Sequence, residues 1–73
     1  MIDLTYDPDA DALYIHFGGG KIDRTEKVGP FVYDVDAEGR ILGVEILSAS
    51  KVLAPGNWQN ARRPDATKVD AAE

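Results

Sequence analysis

The sequence predicts an α+β domain: a small antiparallel sheet of four or five strands, built from two hairpins, with one short C-terminal helix. Three observations predict it. Apolar and polar residues alternate in four separate runs, turn-forming clusters divide those runs into two hairpins, and one short stripe of helical spacing follows the last run.

Ile2–Tyr6 places Ile2, Leu4 and Tyr6 on one side of a strand, because residues two apart share a face. Asp7-Pro8-Asp9-Ala10-Asp11 is a turn cluster, in which proline presets a dihedral and aspartates bond the nearby backbone. Leu13–Phe17 is the second strand, with Leu13, Ile15 and Phe17 on one face, and Gly18-Gly19-Gly20 ends it. Ile22–Val28 carries a weak strand pattern and stops at Gly29-Pro30. Phe31–Asp36 and Ile41–Leu47 are clear strands around the turn Ala37-Glu38-Gly39-Arg40.

Parity tests the register. Tyr6 opposite Leu13 sets Leu4 beside Ile15 and Ile2 beside Phe17. Val35 opposite Leu42 sets Tyr33 beside Val44 and Phe31 beside Ile46. The second pairing requires an even number of turn residues. Both hairpins then present one apolar face. The other face (Asp3, Thr5, Tyr14, His16, Val32, Asp34, Asp36, Ile41, Gly43, Glu45) is mostly polar and meets water.

After the last strand, Ser48 is placed to cap a helix over Ser48–Leu53. Ala49, Val52 and Leu53 form its apolar stripe, and Pro55-Gly56 ends it. Residues 1–53 are thus expected to form a single compact β-rich domain, and 54–73 a mostly flexible tail. Within that tail Trp58 is the exception, with three placements open to it: docked on the sheet, in an interface, or exposed.

Composition narrows the function. The net charge is −5, and the whole excess lies before residue 54, where five basic residues meet ten acidic ones. Phosphate backbones repel such a surface, so no nucleic-acid partner is expected. An acidic surface suits a basic protein partner. No apolar run approaches the ~20 residues of a membrane helix, and no secretory pattern follows Met1, so the expected location is cytoplasmic. Cysteine is absent and histidine occurs once, which removes disulfides and thiolate metal sites.

The segments Tyr6–Ile15 and Tyr33–Lys51, with Thr25-Glu26 between them, resemble the small bacterial proteins of the domain-of-unknown-function 2283 family. The likeness spans residues 1–53. It implies a compact β-rich fold closing with a short helix, and it brings no catalytic residue or cofactor. Some relatives are suspected antitoxin-like partners of small toxins. Asp9 stands where the family usually has glutamate.

Chemistry-bearing clusters have simpler explanations. Asp7-x-Asp9-x-Asp11 begins like a calcium loop, but Ala12 and Gly18 hold the positions that need glycine and glutamate. Gly18-Gly19-Gly20-Lys21 leads toward a strand, where a phosphate loop needs a helix. His16, opposite Asp3, reads as a surface pair, and Arg62-Arg63 as a solvated one. Asp34, Asp36 and Glu45 share the polar face and would be the residues of a small metal-assisted hydrolase. Without an obvious pocket they are read as surface.

No catalytic, cofactor-binding or metal residue is therefore assigned. The expected function is non-enzymatic: a self-associating or protein-binding module, with a homodimer first. The alternatives are an antitoxin-like partner of a small basic toxin and, further back, the hydrolase. One short helix cannot roof so much sheet, and Tyr6, Phe17, Phe31, Tyr33 and Ile46, with Val52 and Leu53, are expected to pack in the core or an interface.

Overall fold

The computed structural model describes residues 2–64. Five antiparallel strands form one sheet: β1 (Asp3–Asp7), β2 (Ala12–His16), β3 (Arg24–Val28), β4 (Phe31–Val35) and β5 (Ile41–Ile46). They are followed by helix α1 (Ala49–Val52) and a 3-10 turn, Asn57–Asn60. The strand order is β1-β2-β5-β4-β3. The two predicted hairpins meet through β2 and β5, which makes β5 the central strand. The weakly patterned third segment forms β3 and takes an edge.

The first hairpin has the expected register, with Tyr6 opposite Leu13 and Leu4 opposite Ile15. β5 continues both rows, since Ile46 opposes Leu13 and Val44 opposes Ile15. β4 adds Phe31 beside Ile46 and Tyr33 beside Val44.

The second hairpin departs from expectation at its closed end. Val35 opposes Ile41 rather than Leu42, and the register shifts between Asp34 and Val35. The turn is odd-numbered: Asp36 N–H donates to the Arg40 carbonyl (2.9 Å) and Gly39 N–H to the Asp36 carbonyl (3.0 Å). Gly39 adopts φ 84, a left-handed conformation that favours glycine. The Asp36 carboxylate accepts from the Glu38 and Arg40 amides, both at 2.9 Å. An odd turn alone would turn β5 over. A β-bulge at Leu42 supplies the extra residue that restores the face. Leu42 and Val35 are buried, whereas Ile41 is exposed.

The helix is shorter than predicted and capped differently. Ser48 has φ 54 and its side chain makes no cap hydrogen bond. Asp11 does that work from the first turn. Its carboxylate accepts from the Ser50 amide (3.0 Å) and hydroxyl (2.7 Å), and its carbonyl accepts from the Ala49 amide (2.8 Å). The Tyr6 hydroxyl also donates to the Asp11 carboxylate at 2.7 Å.

Contacts with the sheet continue beyond residue 53. Trp58 meets Tyr6 edge-on, with ring centroids 5.0 Å apart, and its Nε1 donates to the Ala54 carbonyl at 2.7 Å. Arg62 forms a parallel bridge with Thr5 and accepts the Tyr6 amide at 3.0 Å. Residues 65–73 of the expected tail lie outside the described residues. Among the described residues no helix is long and apolar enough to cross a membrane.

Candidate functional site: a half-covered apolar face

The apolar face has three rows running across the strands. In the first, Tyr6, Leu13, Ile46, Phe31 and Val28 stand side by side. Tyr6, Leu13 and Ile46 are buried beneath Ala49, Leu53, Trp58 and Ala61. In the last, Val35 and Leu42 are buried. A Cβ added at Gly20 would come within 3.2 Å of Leu42, so the β2–β3 connection passes close over that end.

The middle row is Leu4, Ile15, Val44 and Tyr33, all only half-buried. Around it stand Ile2 at 63%, Phe17 at 46% and Val28 at 59% exposure. Five strands at ~4.8 Å spacing span ~24 Å. A four-residue helix is ~6 Å long. Among the described residues the roof therefore reaches one corner and leaves the strip in the middle open. Each large apolar side chain kept wet forgoes up to ~1.5–3 kcal/mol.

The strip is also electrically quiet. Its charges are Arg24 and Glu26 of β3, which pair with each other at 2.8 Å. By the alternation of each strand, Asp3, Asp7, Asp34 and Glu45 lie on the opposite face.

Of the residues expected to pack, Tyr6 and Ile46 are buried and Phe31, Tyr33 and Leu53 half-buried. Phe17 and Val52 are exposed, at 46% and 40%. Of the predicted stripe, Ala49 is buried and Leu53 packs against the core, while Val52 does not join them.

The polar face holds an arrangement that spacing did not reveal. Tyr14 on β2 leans across β5 and donates its hydroxyl to Asp34 on β4 at 2.7 Å. It passes directly over Gly43, where a Cβ would fall 2.1 Å from the tyrosine oxygen. Burial and the Asp34 carboxylate push the Tyr14 phenol up to about 12. Thr25 donates to the other Asp34 oxygen at 3.3 Å. A glycine inside a strand was the available signal, since it marks a close approach of another group.

His16 opposes Asp3 as expected. The Asp3 carboxylate, however, pairs with the Arg62 guanidinium, and the imidazole stacks obliquely near Tyr14, with centroids 6.2 Å apart. Asp7 accepts the Asp9 amide at 3.0 Å within its own turn. Asp36 accepts from its own turn and pairs with Arg40 at 3.0 Å. Among the described residues no three His, Asp or Glu side chains gather closely enough to hold a metal ion. A solvent-open dip is lined by Lys21, Ile22, Asp23 and Ala37, and it contains none of Asp34, Asp36 and Glu45.

Compared with known families, residues 3–50 match the family described as protein of unknown function (DUF2283). Neither the curated proteins nor the solved structures contain a match to the chain.

Proposed function

The chain belongs to the DUF2283 family, which carries no activity with it; from the geometry we propose a non-enzymatic, self-associating module whose open apolar strip is covered by a second copy. One observation carries the reading. The row Leu4, Ile15, Val44 and Tyr33 crosses the centre of the sheet and, among the described residues, has no covering element above it comparable to α1 and Trp58. A symmetric pair needs a self-complementary surface. A neutral apolar strip meets that need, because the acidic excess stands on the other face and in the turns. A cytoplasmic location is part of this proposal.

The hydrolase reading has less support. Asp34 is engaged by Tyr14 and Thr25 and Asp36 by its own turn, so Asp34, Asp36 and Glu45 do not converge. A basic toxin-like partner would address the polar face and leave the apolar strip unexplained.

Light scattering across a dilution series tests the proposal. The wild type should show a mass at least twice the 7.9 kDa of one chain. Val44→Lys should lower that mass while the strand signal in circular dichroism persists. A wild-type protein of 7.9 kDa at all concentrations, or an unchanged mass in the folded Val44→Lys variant, overturns it.

A further inference from the structure

The two margins of the sheet are treated differently. At β1, the backbone of Arg62 bridges Thr5 and accepts the Tyr6 amide. At β3, every residue is exposed, and among the described residues the order of the sheet leaves its outer side without a strand. Val28 and Phe31 close the two-residue turn Gly29-Pro30. Such a closing pair turns its backbone groups inward, and alternation then turns those of Thr25 and Lys27 toward the open margin. An unpaired strand of this kind is a template for another.

The residues along this margin read Arg24-Thr25-Glu26-Lys27-Val28, preceded by Ile22 and Asp23, which lie just before β3 and of which the Asp23 amide turns inward to the Val35 carbonyl at 2.8 Å. From Ile22 to Val28 the pattern is apolar, acidic, basic, neutral, acidic, basic, apolar. It is its own complement when reversed. An antiparallel pairing of two copies centred on Thr25 sets each Arg24 opposite a Glu26 and each Lys27 opposite an Asp23. It also sets each Ile22, 52% exposed, opposite a Val28, 59% exposed. Directly opposed residues share a face, and each of these pairs has the even spacing that requires.

We infer that β3 pairs with β3 of a second copy about a two-fold axis at Thr25, joining the two sheets into one of ten strands. The charges select the register. A shift by two residues in either direction opposes Arg24 to Arg24 or Glu26 to Glu26, and like charges directly opposed are destabilising. Exposed ion pairs contribute little energy singly, so their role here is choice of register, while the backbone groups of Thr25 and Lys27 hold the pair. The axis is perpendicular to the sheet, so both apolar strips lie on the same side. This inference stands on the edge strand alone and does not need the apolar strip to be an interface.

The absence of cysteine makes the test clean. In an antiparallel pair opposed Cα atoms lie ~4.5–5.5 Å apart, within the usual disulfide range. Thr25→Cys should oxidise to a covalent dimer of twice 7.9 kDa on a denaturing gel. Lys27→Cys, two residues off the axis, should not. Arg24→Glu should lower the mass of the folded protein in light scattering, and the exchange Arg24→Glu with Glu26→Arg should restore it. Crosslinking that is equal at the two positions overturns the register. Failure of Thr25→Cys to crosslink, together with an unchanged mass in Arg24→Glu, overturns the edge pairing whatever Val44→Lys does. An effect of Val44→Lys alone would leave only the face interface standing.

Discussion

The two ends of the sheet are both antiparallel hairpins and end in different states. At the β1–β2 end, Tyr6 and Leu13 lie under Ala49, Leu53, Trp58 and Ala61, and Arg62 seals the strand margin. At the β4–β3 end, Val28 is 59% exposed and all of β3 faces water. Burial is therefore decided by where the later part of the chain returns, and not by strand composition alone. The roofed end buries its apolar residues and the bare end leaves Val28 exposed.

The comparison makes graded predictions. Leu13→Ala opens a cavity at the roofed end and should cost ~2–5 kcal/mol in urea unfolding. A small loss there would mean that the roof contributes little. Gly43→Ala should follow, at about 1–3 kcal/mol, by driving Tyr14 off the strand that joins the two ends. Its signature is optical: the Tyr14 phenol should ionise below its raised value of about 12, moving toward the ordinary value near ~10. Unchanged absorbance titration would show that the tyrosine has another way to settle.

Asp11→Asn probes the roof through acid. Hydrogen bonds from Ser50 and then Tyr6 hold the Asp11 carboxyl below its usual value. A depressed carboxyl stabilises the fold above its unfolded value near ~3.9, and that stabilisation is lost as the pH falls through the lower folded value. Melting curves from neutral pH down to about pH 2 should therefore show a shallower acid decline in Asp11→Asn than in the wild type. Equal slopes would remove Asp11 from the acid response. Val28→Ala should have the smallest effect, within ~0.5 kcal/mol on folding at concentrations where the chain is monomeric. A larger loss would show that the bare end is covered in the folded chain itself.

Much of this fold is legible in the sequence, because alternation and turn residues act locally. The apolar rows of Leu4 with Ile15 and Phe31 with Ile46 follow from parity. What escaped reading depends on groups distant in sequence. The cap on α1 comes from Asp11 and not from the adjacent Ser48, and no local pattern signals a carboxylate arriving from 39 residues away. The bulge at Leu42 compensates for a turn whose length was misjudged by one residue, and two opposite errors in parity leave the outer face unchanged. Tyr14 crossing to Asp34 needed the strand order, which places β2 and β4 on either side of Gly43. The half-covered strip was foreseeable from the ratio of strand to helix, whereas the Trp58 contact with Tyr6 was only one of its possible resting places.

The seal that Arg62 places on β1 has a consequence for growth. A subunit with both margins available would add neighbours without end and polymerise into a fibre. With one margin already stoppered by its own chain, the edge pairing proposed for β3 would end lateral addition after a single step.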